Sequence, residues 1–249
     1  ANPSVCVGDV GGANEPKRHS VDPHQFPRDA APLWALSLVL QRLGLYEDAV
    51  SFCAWLRPAE WLDTLGPNET AKLMGIPRTA LGELNSPLDI ALLNRFASHA
   101  ELKPESPIYQ VMCMVGEDTV NYLRSLRERL DYLKQHGQYW TIDTDGEPIQ
   151  ALFLERSDTI SEDPSFGIHA FIESEGKASK IQAMVYPDRR GRGYGLTRYD
   201  DCQRLDFSQI ESHDGVQFAH KRGFIAKVSA TDPSRLKELL RLAVVKTGS

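Results

Sequence analysis

Apolar residues recur at helical spacing through most of the first half of the chain and at strand-like spacing through the second. Leu33, Trp34, Leu36, Leu40 and Leu43 share one face behind Asp29, which is placed to cap a helix that Gly44 ends. Further helices are predicted over about 46–56, 68–74, 87–99 and 107–136; in the last, Val115, Leu123, Leu126, Leu130 and Leu133 form the apolar stripe. Ahead of them, Val5 to Gly12 reads as a short buried strand that places Asp9 near its end, and the proline- and histidine-rich stretch 13–28 reads as a loop.

After Gly137 the period changes. Gln138–Ile142, Ile149–Leu154, Phe166–Glu173 and Ile181–Tyr186 are strand-like, and a closing helix is signalled by Asp232 as cap, Pro233 in the first turn and an apolar face through Leu236, Leu239 and Leu240. The fold class expected is α/β. A helix-rich N-terminal domain, residues 1–137, surrounds a small parallel sheet, and a smaller α+β domain follows over 138–249.

Composition narrows the function classes. The 249 residues, 41% of them hydrophobic, suffice for two cores, which excludes a disordered chain. A net charge of -6 argues against bulk electrostatic binding of nucleic acid, so an anionic ligand requires a local basic site. No apolar run approaches the roughly 18 residues that span a bilayer. The expectation is a soluble, cytoplasmic protein without a membrane partner. Cys6, Cys53, Cys113 and Cys202 are too far apart for a cysteine zinc site, and Cys53 and Cys113 are expected as buried thiols on helical faces.

The densest polar constellation is Asp9-Val-Gly-Gly12 with Val21-Asp22-Pro23-His24-Gln25, to which Asp63 adds a third carboxylate. Carboxylate and imidazole donors suit Mn²⁺, Mg²⁺, Fe or Zn²⁺, but Asp9 and Asp22 equally suit the capping of turns. Both readings stand on spacing alone.

The run from Asp9 through Asp22-Pro23-His24-Gln25 resembles the D-V-G-G…D-H-H-Q stretch of Myg-type metal-dependent hydrolases, a branch of the DHH phosphoesterase superfamily. Phe218-Ala-His-Lys-Arg-Gly-Phe224 is similar to that branch's closing F-V-H-x-x-G-F segment. The resemblance implies Mn²⁺ or Mg²⁺ held by Asp9, Asp22 and Asp63, with His24 in the catalytic role. It further implies hydrolysis of a phosphate-containing small molecule or short single-stranded nucleic acid in a cleft between the domains. Two departures matter. Pro23 stands where the family has a histidine ligand, and a pyrrolidine nitrogen in a peptide bond has no lone pair for a metal. The family's first His/Asp motif has no counterpart in the eight residues ahead of Asp9, so the expectation divides between a motif upstream of Ala1 and a degenerate site.

The second chemical feature is basic. Arg189-Arg190-Gly-Arg192-Gly-Tyr-Gly-Leu-Thr-Arg198 holds four arginines and three glycines without an acid, and His220-Lys221-Arg222 follows. Arginine forks suit phosphate, and glycines permit close backbone approach, so both segments are expected to face one groove as the substrate grip. The alternative is a solvated hairpin, because neighbouring acids leave the region only slightly basic. Tyr194 and Tyr199 are candidates for base stacking.

The leading expectation is a metal-dependent phosphoesterase-like protein acting on a nucleotide or short single-stranded nucleic acid, compatible with a homodimer. Two rivals are a catalytically degenerate phosphate-binding module and a metal-free protein-interaction subunit that docks through the helix over 107–136.

Overall fold

Backbone pairing begins with two short parallel strands, β1 (Val7–Gly8) and β2 (Ser20–Val21), in register Val7 to Ser20 and Gly8 to Val21. The computed structural model describes residues 7–8, 20–21, 34–83, 86–157 and 163–245. The predicted N-terminal cap Asp29 lies outside them. The chain divides into two units, Ala1–Ser125 and Leu126–Ser249, and the division falls inside one long helix.

Helices follow in the first unit, α1 (Ala35–Arg42), α2 (Tyr46–Phe52), α3 (Leu56–Thr64), α4 (Pro67–Met74), α5 (Ala80–Glu83) and α6 (Pro87–Ala97), and then α7 (Pro107–His136), whose residues belong to both units. Local chemistry sets several of their ends. Pro67 opens α4, and Gly75 closes it at φ +67°, a left-handed conformation that glycine adopts without a Cβ penalty. Ser86 and Asp89 form a reciprocal capping box at the start of α6. The core of this unit gathers Leu40, Leu45, Ala49, Cys53 and Leu56 against Leu123. Within it Glu60 is fully buried, accepting from Ser37 Oγ at 2.6 Å and Arg57 Nη1 at 3.0 Å, so its charge is satisfied inside the fold. Cys53 is buried as expected, but Cys113 is exposed, because the early turns of α7 leave Met112, Met114 and Val115 facing solvent.

The second unit is built on a six-stranded sheet in the order β3-β4-β5-β6-β8-β7. Its strands are β3 (Gly137–Ile142), β4 (Ile149–Leu154), β5 (Ala183–Pro187), β6 (Tyr194–Arg198), β7 (Val216–Ala219) and β8 (Ile225–Val228). Only the β4–β5 pair is parallel. A parallel pair needs a crossover, and helix α8 (Ile168–Ser174) supplies it. The expected strand over Phe166–Glu173 is therefore a helix. Ile168, Phe171 and Ile172 bury one helical face, and a run this short carries too little periodicity to separate the two states.

One face of the sheet packs under α9 (Pro233–Leu242) and a 3-10 turn, Phe207–Ile210, around Phe153, Val185, Leu196 and Leu240. The other face packs under α8 and the end of α7, with Leu133 and Ile172 against Leu152, Leu154 and Met184. The molecule is thus mixed α/β, a helix-rich part followed by a mostly antiparallel sheet. Among the described residues no helix is long and apolar enough to cross a membrane.

Candidate functional site

The antiparallel register of β6 separates the basic residues that adjacency in sequence suggests belong together. Tyr194 pairs with Val228 at one end and Thr197 with Ile225 at the other. Arg189, Arg190 and Arg192 sit exposed on the β5–β6 hairpin, beyond the Tyr194 end. Arg198 lies at the other end beside the β7–β8 turn that carries His220, Lys221 and Arg222, since its amide donates to Phe224 O at 3.0 Å. At about 3.3 Å per residue, the hairpin and Arg198 are roughly 15 Å apart. The single groove expected for both segments resolves into two ends of one strand.

The hairpin end is a tightly organised structure. Arg156 Nη2 donates to the carbonyls of Asp188, Gly191 and Gly193 at 2.8–3.0 Å, so the loop turns carbonyls inward to a cation. Its glycines have packing reasons: a Cβ at Gly193 would collide with the Val228 carbonyl, and one at Gly195 would press on the Tyr186 ring. Asp188 holds Lys227 at 2.9 Å. Burial raises the pKa of Asp188, yet the Lys227 bond and the Arg190 amide outweigh it and hold the carboxyl below its ordinary value.

The opposite end contains a cavity of about 370 Å³ lined by Ser165 just ahead of α8, His169 of α8, Tyr186 of β5, Thr197 and Arg198 of β6, and Phe224. Two polar atoms at this cavity are buried without a hydrogen bond, Arg198 Nε and Thr197 Oγ1. The Arg198 side chain is only 9% exposed. One edge of its fork is occupied, Nη1 meeting Asp201 Oδ1 at 3.1 Å, and Asp201 is itself 75% exposed. A buried guanidinium with an unused N–H is costly unless something accepts from it. Thr197 does influence the Tyr186 phenol, whose pKa burial raises and Thr197 lowers, although Thr197 Oγ1 lacks a hydrogen bond of good geometry.

The wall around Arg198 is stiff. Asp206 accepts from the Ser208 hydroxyl at 2.6 Å and its amide at 2.9 Å, and these bonds, with Arg198 adding to them, hold the carboxyl below its ordinary value. Gly223, at φ +69°, brings the β7–β8 turn against Asp206 where any Cβ would overlap the carboxylate. On that turn the Arg222 amide donates to His220 Nδ1 at 3.1 Å. Arg129 donates to the carbonyls of Pro164 and Phe166, fixing the backbone that presents Ser165 and His169.

Of the residues singled out by sequence, the structure brings Arg198 into the cavity and sets His220, Lys221 and Arg222 on the turn beside it, the latter two exposed. Asp9, Asp22 and His24 lie outside the described residues. Asp63 is exposed on α3. Among the described residues, no group of three His, Cys, Asp or Glu side chains converges as a metal site. Tyr194 and Tyr199 are buried, Tyr194 accepting from the Arg156 amide and Tyr199 stacking on His169 at 5.0 Å, so neither presents a face to a base. Sequence reasoning missed His169, Tyr186, Thr197 and Phe224. Along β6, Gly195 and Thr197 alternate with the apolar Tyr194 and Leu196, but all four are buried, so the alternation alone did not mark them.

No protein-family profile matches this sequence and no curated protein is detectably similar to it. Among solved structures, the pGpG-specific phosphodiesterase PggH from Vibrio cholerae aligns over 89% of this chain and 76% of that chain, at 16% identity and a TM-score of 0.36. A likeness of that size carries no argument about fold or activity.

Proposed function

We propose that this chain is a phosphoesterase-like protein whose second unit holds the phosphate of a nucleotide or short single-stranded nucleic acid at Arg198. The observation that supports the reading is the buried, unpartnered Nε of Arg198 beside the Thr197 hydroxyl in one cavity. A phosphate oxygen would accept from that N–H, another would meet the threonine hydroxyl, and the turn carrying His220, Lys221 and Arg222 would add positive field. The exposed Asp201 carboxylate occupies the other edge of the fork and would yield to a competing anion more readily than the firmly bonded Asp206.

Hydrolysis, in this reading, belongs to Asp9, Asp22, His24 and Asp63, whose oxygen and imidazole donors suit Mn²⁺ or Mg²⁺. Such an ion supplies an acidified water and a clamp on phosphoryl oxygens. Pro23 favours a second reading in which the phosphate grip persists as a binding module without turnover, because it removes a ligand from the set the resemblance implies.

One preparation tests both. Calorimetric titration of the full chain with AMP should show binding that Arg198→Lys weakens about tenfold or more, since the ammonium keeps the charge but loses the fork. Thr197→Val should weaken it several-fold. Unchanged affinity in both variants would overturn the phosphate reading. Product release from a nitrophenyl phosphodiester with Mn²⁺ identifies the enzyme; AMP binding without release identifies the binding module.

A further inference from the structure

The large apolar residues left exposed in the second unit, among those described, are Tyr139, Phe218, Phe224 and Val245. Tyr139 is already covered by a cation, Lys177 Nζ standing 3.4 Å from its ring centroid. Phe218 and Phe224, at 48% and 42% exposure, are not scattered. Both pack on His220, Phe224 at 4.1 Å between centroids in a tilted contact and Phe218 at 6.3 Å edge-on. The three rings form a strip on the β7–β8 ribbon, and Phe224 at its end is also a wall of the cavity that contains Arg198.

The strip is built to stay in place. Phe224 and His220 flank the turn closed by the His220 amide on Ile225 O and the Gly223 amide on His220 O, and Arg198 N ties Phe224 O to β6. Lys221 and Arg222 stand exposed on the same turn, so the aromatic surface carries positive charge at its border and no acid between Phe218 and Phe224. A flat apolar face bordered by cations and next to an unsatisfied guanidinium matches one kind of occupant, a planar aromatic ring tethered to an anion.

The geometry points to Phe218 and Phe224, organised by His220, as the platform on which a nucleobase stacks while its phosphate engages Arg198. This rests on the phosphate reading of the adjoining cavity and adds the residues that separate a nucleotide from any other phosphate ester. They replace Tyr194 and Tyr199, which the core has claimed. Stacking is tolerant of base identity because every base has a π face, so the platform selects nucleotides over sugar phosphates without choosing strongly among bases.

The test compares AMP, ribose 5-phosphate and adenosine by calorimetry on the full chain and on Phe224→Leu and Phe218→Leu, both exposed positions where leucine keeps an apolar side chain. Expected is an AMP affinity roughly 5- to 100-fold above that of ribose 5-phosphate, narrowing in each variant, with ribose 5-phosphate binding unchanged in Phe218→Leu, whose position lies outside the cavity lining. Equal affinity for AMP and ribose 5-phosphate would overturn the platform and leave the phosphate reading intact. A preference for AMP that survives both substitutions would equally overturn it. Adenosine binding as tightly as AMP, and weakened by the substitutions, would support the platform while the phosphate reading failed. Failure of all three probes to bind would overturn both.

Discussion

A methyl group at position 193 would fall inside the van der Waals shell of the Val228 carbonyl oxygen, because the backbones of β6 and β8 meet there with nothing between them. Gly193→Ala is therefore expected to destabilise the sheet by about 1–3 kcal/mol, read as a lower urea midpoint. Gly146→Ala, where a Cβ meets nothing within 4 Å, should change it by less than about 0.5 kcal/mol. The comparison separates a glycine required by packing from one that is not. In the run Gly191, Gly193, Gly195 the same composition that suggested close approach to a ligand serves close approach to the protein itself. Arg198 differs from its neighbours in the opposite sense. It is the arginine of that run whose side chain is buried with a donor unused, and burial is invisible in a list of residue types.

At the scale of elements, the β5–β6 hairpin and the β7–β8 turn are separate devices joined by β6. Arg156 holds the hairpin through three carbonyls. Arg156→Ala should raise the amide exchange of residues 189–193 by about tenfold, the loss of roughly 1–2 kcal/mol of local hydrogen bonding. It should leave AMP binding at Arg198 unchanged, because the cavity lies at the other end of the strand. Hydrogen exchange with mass spectrometry and the same calorimetry check the two halves of that statement. The crossover α8 teaches a related lesson. Phe166 to Glu173 reads as a strand, yet the parallel β4–β5 pair requires a connection that leaves the sheet and returns to it, and Ile168–Ser174 is that helix.

In the second unit, three aspartates among the described residues tie stability to pH. Backbone and side-chain bonds from Ser165 hold Asp163 low, Ser208 does so for Asp206, and Lys227 with the Arg190 amide does so for Asp188 against the effect of burial. Each has a folded pKa below the ordinary aspartate value, so the unfolded chain binds more protons in that interval. Their stabilisation is fully present above that ordinary value of 3.8 and is lost as pH falls through the lower folded values. Thermal midpoints should be flat in this respect from pH 7 to about 5 and fall below about 4. Asp206→Asn should lower the midpoint at pH 7 and shallow the acid decline. A decline as steep as in the wild type would show that Asp206 contributes nothing to it.

Period, caps and breakers depend on neighbours in the chain, and so they were legible: the long helix α7 with its stripe through Leu123, Leu126 and Leu133, the strands β3 and β4, the Asp232 cap and Pro233 start of α9, and the passage from a helix-rich half to a sheet. The type of residue proposed to meet a phosphate is also read from composition, since a guanidinium carries its chemistry wherever it is placed. Which arginine is buried, which aromatic rings stay exposed and which basic segments share an end of the sheet depend on register. Register is settled by strands far apart in sequence, when β8 enters between β6 and β7 and the pairing of Thr197 with Ile225 sets Phe224 beside Arg198. That long-range pairing buries Tyr194 and Tyr199, exposes Phe218 and Phe224, and so places the candidate site where no local pattern could.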